Sequence, residues 1–96
     1  MLTLSRKESL VLELLLRGDE LYGLQLVAAS RGRLKRGTIY VTLGRMEKKA
    51  YVASRLEGAP AETGGLPRRL YAPTALGRRV FKLWSRAVGP IAPEFA

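Results

Sequence analysis

The N-terminal segment constrains the fold most, because it is predicted to form a helix that is apolar around much of its circumference. Ser5 and Glu8 have the spacing of a capping box, in which each side chain accepts a hydrogen bond from an otherwise unpaired backbone amide. Gly18 is predicted to end the helix. Its apolar residues are Leu10, Val11, Leu12, Leu14, Leu15 and Leu16. Such a helix is expected to be packed between two surfaces and not laid on one.

Two more helices are predicted before residue 50. Asp19 is a candidate N-cap for a second helix that runs to about Ser30, and Gly23 inside it indicates a close approach by another backbone segment. The residues expected to face inward on this helix are Leu21, Leu24, Val27 and Ala28. The third helix is predicted to open between positions 35 and 38 and to end near Lys49. Its core-facing stripe at helical spacing is Ile39, Leu43 and Met46.

The second half of the chain predicts a hairpin followed by a last helix. Residues 51–57 and 68–73 read as strands around a loop rich in glycine and proline at 58–67. Thr74 is the predicted N-cap of a fourth helix that runs from Ala75 to about Ala87. The expected fold is therefore mainly α with a small β-hairpin: a winged helix-turn-helix with a three-helix core and a two-stranded wing. Residues 1–74 are assigned to this domain, and 75–96 to a C-terminal dimerisation helix with a short tail.

The charge of the chain limits its function. Its 96 residues hold 17 Lys and Arg against 8 Asp and Glu, a formal charge of +9. This excess favours a polyanionic partner, nucleic acid first and an anionic membrane surface second, although the fourth helix lacks the long apolar face of an interfacial helix. The sequence has no Cys and no His, so we expect neither an enzyme, a metal site nor a cofactor. No apolar stretch reaches the roughly 18 residues of a membrane span, and the expected location is cytoplasmic.

Basic residues concentrate around the third helix, where Glu47 is the lone acid between Arg31 and Lys49. An exposed helix of this kind can enter the major groove of DNA, with its N-terminal end toward phosphate. We expect Lys35 and Arg36 to contact phosphates and Arg45 to read a guanine. The full set of candidate DNA-binding residues is Lys35, Arg36, Thr38, Tyr40, Thr42, Arg45, Lys49, Arg68 and Arg69. Tyr40 packing against helix two is an equally weighted alternative, and of the two wing arginines only one is expected to face DNA.

Surplus apolar surface on the first and fourth helices favours an isologous homodimer, because pairing across a two-fold axis would bury both. The candidate interface residues are Leu12, Leu16, Leu76, Val80, Phe81, Leu83 and Trp84. The alternative is that the fourth helix only covers the core of its own subunit.

Five ordered segments resemble the PadR-type transcriptional regulators. They are Glu-Leu-Tyr-Gly-Leu at 20–24, Arg-Gly-Thr-Ile-Tyr at 36–40, Leu-Gly-Arg-Met-Glu at 43–47, Arg-Arg-Leu-Tyr at 68–71 and Leu-Gly-Arg-Arg at 76–79. The resemblance implies a homodimeric repressor that binds double-stranded DNA, in which helix three reads the site, the wing touches the flanking DNA and the last helix pairs the subunits. For such a dimer we expect a palindromic site. It also implies a small aromatic or lipophilic effector near the dimer interface. Trp84 is the candidate to bind it, and packing in the core or the interface is the favoured alternative for this residue. A winged helix that binds an acidic protein, and an effector sensor, remain the alternatives.

Overall fold

Four helices and three short strands form the part of the protein that the computed structural model describes, residues 3–58 and 67–88. In chain order they are α1 (Arg6–Gly18), β1 (Leu21–Tyr22), α2 (Gly23–Ala29), α3 (Ile39–Lys48), β2 (Val52–Glu57), β3 (Arg68–Pro73) and α4 (Ala75–Val88). The strands form one antiparallel sheet in the order β1-β3-β2. The predicted winged helix-turn-helix is confirmed. Most of the predicted hairpin loop (59–66) and the C-terminal tail (89–96) lie outside the described residues.

Helix α1 is the centre of the core, as its apolar circumference predicts. The Glu8 amide donates to Ser5 Oγ (3.1 Å) and the Ser5 amide donates to Glu8 Oε1 (2.8 Å), which confirms the capping box. The helix packs against α2, α3, α4 and β3. Val11 and Leu12 are completely buried. The prediction that Leu12 lies at a dimer interface is therefore wrong, because it is enclosed by its own subunit.

The segment after α1 differs from the prediction. Asp19 ends α1 and does not begin the next helix: its φ is 68°, and its amide donates to the Leu15 carbonyl oxygen (2.7 Å). Residues 21 and 22 form β1, a short strand that pairs with β3. Helix α2 then begins at Gly23, and the side-chain oxygen of Gln25 accepts a hydrogen bond from the Tyr22 amide (2.8 Å).

The inward face of α2 also differs. Leu26 is completely buried, Leu24 and Ala28 are exposed, and Leu21 and Val27 are half-buried. Apolar residues occur on both sides of this short helix, so their spacing alone does not determine which side meets the core.

Helix α3 starts at Ile39, just after the predicted window, because residues 35–38 form a turn in which the Ile39 amide donates to the Lys35 carbonyl oxygen (3.0 Å). Its predicted core stripe is confirmed, since Ile39, Leu43 and Met46 are all buried. Ala50, with a φ of 64°, then reverses the chain into β2.

Helix α4 is capped by Thr74, whose Oγ1 accepts the Gly77 amide (2.9 Å), as predicted. Gly77 lies so close to the backbone of Tyr51 that a Cβ atom there would overlap the Tyr51 carbonyl oxygen. Val80 is buried in the core that α1 also forms. With 5% of its surface exposed, Val80 has little surface left for the predicted dimer interface. None of the helices in the described ranges is long and apolar enough to cross a membrane.

Candidate nucleic-acid interface

One side of α3 is left uncovered by the fold. Val41, Gly44, Arg45 and Lys48 are spaced three and four residues apart and so share this side, which we call the α3 outer face. Val41 retains 57% of its accessible surface. Arg45 and Lys48 are exposed. This side of the helix is therefore open to a partner and carries positive charge.

The turn before α3 extends the same cationic surface. Lys35, Arg36 and Thr38 are all exposed. Within residues 3–58 and 67–88, neither Lys35, Arg36, Arg45 nor Lys48 forms an ion pair with a carboxylate. Their charges are consequently available to a polyanion, and the first two lie at the N-terminal end of the helix, where backbone amides also favour anions.

The nearby carboxylates are occupied by other partners. Glu20 accepts two hydrogen bonds from the Arg55 guanidinium (2.8 and 2.9 Å), which lowers the pKa of that carboxyl. Glu57 accepts a hydrogen bond from the Tyr22 hydroxyl, an interaction that raises the pKa of the phenol. Glu47, the one acid on α3, accepts from Ser54 Oγ (2.8 Å). The acids are thus turned toward the sheet, and they do not neutralise the α3 outer face.

Tyr40 packs its ring against helix α2. Its ring lies against α2 at Gly23, where a Cβ atom would stand 2.7 Å from ring carbons, yet 52% of the residue is exposed. The predicted approach of a backbone segment at Gly23 is therefore wrong, because the space is taken by the Tyr40 side chain. The ring lines a cleft of about 380 Å³ between α2, α3 and the base of the hairpin. The lining residues are Tyr22, Leu24, Gln25, Tyr40, Pro67, Arg68 and Arg69.

The two wing arginines have different surroundings. Arg68 is half-buried, with its guanidinium carbon 4.9 Å from the centroid of the Tyr22 ring, a cation–π contact. Arg69 is exposed and donates from Nη1 to Ser54 Oγ (2.9 Å). Adjacent residues of a strand point to opposite faces, and Arg69 is the one whose side chain has more access to solvent.

Two of the predicted DNA-binding residues lie off this surface. Thr42 is 9% exposed, so its side chain does not reach a base edge in this structure. Lys49 is half-buried and its Nζ lies 2.9 Å from Oε2 of the buried Glu8. Thr42 and Lys49 are seven residues apart and lie on a stripe that flanks the α3 outer face. Helical spacing alone therefore predicted that they belong to the DNA-binding side.

The remaining apolar residues of α4 are partly accessible. Leu83 is 55% exposed, while Leu76, Phe81, Trp84 and, on α1, Leu16 are half-buried. The rings of Phe81 and Trp84 are stacked with centroids 6.3 Å apart. A shallow cleft of about 240 Å³ is lined by Leu4, Val80, Leu83 and Trp84. This cleft is smaller than the roughly 300 Å³ at which small-molecule sites begin.

Sequence analysis did not nominate Val41, Gly44 or Lys48 as site residues. Their spacing from Arg45 was a usable signal, because residues three and four apart on a helix share a face. The hydrogen bonds that occupy Glu20 and Glu57 had no such signal, since their partners lie 35 residues away along the chain.

A three-helix core with a β-hairpin wing, in which the third helix is basic and exposed, defines a winged helix-turn-helix protein. Residues 11–83 match the model of the transcriptional regulator PadR-like family, and the chain belongs to this family. No curated protein matches the chain significantly.

Solved structures share the fold. A PadR family transcription regulator from Clostridium difficile is 27% identical with a TM-score of 0.67, over 91% of this chain and 95% of that one. A PadR family transcriptional regulator from Eggerthella lenta is 24% identical with a TM-score of 0.70, over 94% of this chain and 80% of that one. Bacillus subtilis PadR in complex with operator DNA is 21% identical with a TM-score of 0.65, over 82% of this chain and 46% of that one.

Proposed function

We propose that this regulator is a sequence-specific DNA-binding repressor that acts as a homodimer on a palindromic operator. The observation that carries the proposal is the α3 outer face, an exposed and cationic side of a helix whose opposite side is fixed in the core. A helix of roughly 10–12 Å diameter fits a major groove about 12 Å wide. The Bacillus subtilis PadR complex with operator DNA supports DNA as the partner.

The exposed residues are assigned two roles: some position the protein on the phosphates, and others read base edges. Lys35 and Arg36 precede α3 and are assigned to phosphates, as is Arg69 on the wing. Arg45 is assigned to a guanine, which it can contact with two hydrogen bonds in the major groove. Thr38 and the Tyr40 hydroxyl supply further hydrogen-bonding groups at the start of the helix.

Selection of bound fragments from a pool of random duplexes tests the function. We expect a two-fold-symmetric consensus, and an affinity that falls with salt with a log–log slope near −0.9 for each phosphate neutralised. Failure of the full chain to retard any duplex at low salt would contradict the proposal. In that case the α3 outer face would be better explained as a binding surface for an acidic protein.

Arg45→Ala tests the reading role on the selected duplex. The loss of a base contact should relax discrimination at one base position by about 5- to 150-fold, the equivalent of about 1–3 kcal/mol. Lys82→Ala is the matched control, because it removes one exposed positive charge from α4. Equal effects of the two variants on discrimination would refute the assignment of Arg45.

Lys35→Ala tests the positioning role. A phosphate contact carries no sequence information, so the variant should weaken binding to all duplexes alike and make the salt slope shallower by about one. A loss confined to some sequences would reassign Lys35 to base reading. The measurement is the affinity for the selected duplex and for two scrambled duplexes at several salt concentrations.

A further inference from the structure

An apolar side chain occupies the middle of the cationic surface. Val41 is the third residue of α3 and the first of the α3 outer face, three residues before Gly44 and four before Arg45, so it lies between the cations of the preceding turn and those of the helix. At 57% it is as exposed as any large apolar residue of the described chain. The N-terminal residues of a recognition helix are the ones that contact base edges. Val41 is therefore placed to contact a base edge.

No contact among the described residues explains why position 44 is a glycine. A Cβ atom at this position would have no heavy-atom neighbour within 4 Å, and the residue has an ordinary helical conformation. Glycine in the interior of a helix nevertheless destabilises it relative to alanine. The absence of a side chain one turn from Val41 leaves the backbone of α3 open to close approach from outside.

We propose that Val41 and Gly44 together form a contact site for the C5-methyl group of a thymine in the major groove. The inference rests on the proposed function. Of the groups that base edges present in that groove, the thymine methyl is the apolar one. The surrounding cations make a duplex the fitting occupant, since an apolar protein surface would have to bury the charges of Arg45 and Lys48. Gly44 allows the helix backbone to approach the base edge while Val41 covers the methyl.

Deoxyuridine tests the site, because it lacks only the methyl group of thymidine. Each thymidine of the selected duplex is replaced singly and the affinity is measured. One position in each half-site should lose affinity by about 4-fold, the value expected for one buried methyl group. In Val41→Ala the same replacement should change the affinity by less than about 1.5-fold. Leu24→Ala, which shortens an exposed leucine on α2, should keep the full uridine effect.

Gly44→Ala gives a second, independent readout. The unfolding temperature should rise, because alanine favours the helix and meets no neighbour. Affinity for the selected duplex should fall by at least about 4-fold, the loss expected when the methyl contact is no longer made. A loss of affinity in a more stable protein cannot be attributed to misfolding. Wild-type affinity in Gly44→Ala would overturn the close approach.

The outcomes separate the two proposals. Salt-dependent, sequence-selective binding with no uridine-sensitive position would overturn the thymine contact and leave the proposed function intact. An equal uridine effect in Val41→Ala and in the wild type would overturn the role of Val41. Binding to no duplex at all would overturn both.

Discussion

Ala50 is held in a left-handed conformation that an L-amino acid adopts at a cost. Its φ is 64°, and its carbonyl oxygen accepts a hydrogen bond from Thr74 Oγ1 (2.6 Å), which ties the turn to the start of α4. Glycine has no Cβ and avoids the penalty of roughly 1–2 kcal/mol. We expect Ala50→Gly to raise the free energy of unfolding by about 0.5–1 kcal/mol in urea denaturation. The net gain is this relief less the extra chain entropy that glycine loses on folding.

A matched change in the next strand isolates the effect of backbone conformation. Ala53 is exposed on β2 and has no positive φ. Ala53→Gly should therefore lower the free energy of unfolding by about 0.5–1 kcal/mol. Equal destabilisation by both substitutions would show that the turn does not require a left-handed residue.

Glu8 links stability to pH. Burial raises the pKa of its carboxyl, but the hydrogen bonds from Lys49 and from the Ser5 amide outweigh burial, and the net pKa lies below 4.5. The unfolded chain then binds the proton more readily than the folded chain. The stabilisation is fully present above pH 4.5 and is lost as the pH falls through the lower native pKa. We expect the free energy of unfolding of the wild type to decrease over this window.

Glu8→Gln should flatten that part of the stability profile. At neutral pH it should also lower the free energy of unfolding by about 1–2 kcal/mol, less than for a fully buried pair because Lys49 keeps 35% of its side chain exposed. Denaturation at pH 3 and pH 7 measures both effects. The same difference between variant and wild type at the two pH values would contradict this account of Glu8.

At the level of elements, the sequence predicts what its local signals determine. The caps of α1 and α4 were predictable because Ser5, Glu8 and Thr74 act within three residues of their partners. Strand β1 was not, because two residues carry no periodicity and their pairing partners, Leu70 and Tyr71, lie about 50 residues away. The side of α2 that faces the core was not predictable either, since apolar residues occur on both sides of this helix.

The packing of α4 on the core depends on the lack of a side chain at Gly77. A Cβ there would overlap the Tyr51 carbonyl oxygen, a backbone atom that cannot move alone, and would also meet Leu12 at 3.2 Å. We expect Gly77→Ala to lower the free energy of unfolding by about 1–3 kcal/mol, the usual cost of overfilling a packed site. Urea denaturation measures it. The control is Gly44→Ala, where the new methyl meets no neighbour and stability should rise; a gain in both variants would contradict the close packing of α4.

At the level of the whole molecule, the cationic surface was predictable and its boundary was not. Clustered Lys and Arg identify α3 from the sequence, but Thr42 and Lys49 fall on its flank, and only the packed structure shows that one is buried and the other is bound to Glu8. A charge count gives no such information, because it ignores where each side chain points. The same holds for Leu12 and Val80, whose burial within one subunit is a property of the tertiary fold.

The accessible apolar end of α4 carries the last prediction, the proposed homodimer. Leu83 is 55% exposed beside Trp84, whose ring stacks with Phe81. An isologous interface uses the same surface of both subunits, so it buries two copies of Leu83 and one substitution removes both. Complete burial of a leucine stabilises by about 1.5–3 kcal/mol, and 55% of Leu83 is left to bury, so Leu83→Gln should raise the dimer dissociation constant by about 15- to 250-fold over the two subunits. The measurement is molar mass by light scattering over a range of protein concentrations.

The DNA-binding consequence follows from the geometry of a two-fold site. A monomeric Leu83→Gln protein should still bind one half-site with the base preferences of the wild type, because α3 is untouched. Its salt dependence on the full palindrome should fall to about half, since half as many phosphates are neutralised in each binding event. Lys82→Ala, an adjacent exposed position on α4, should leave the molar mass unchanged. A Leu83→Gln protein with the wild-type mass at every concentration would place the subunit contact elsewhere than the exposed end of α4.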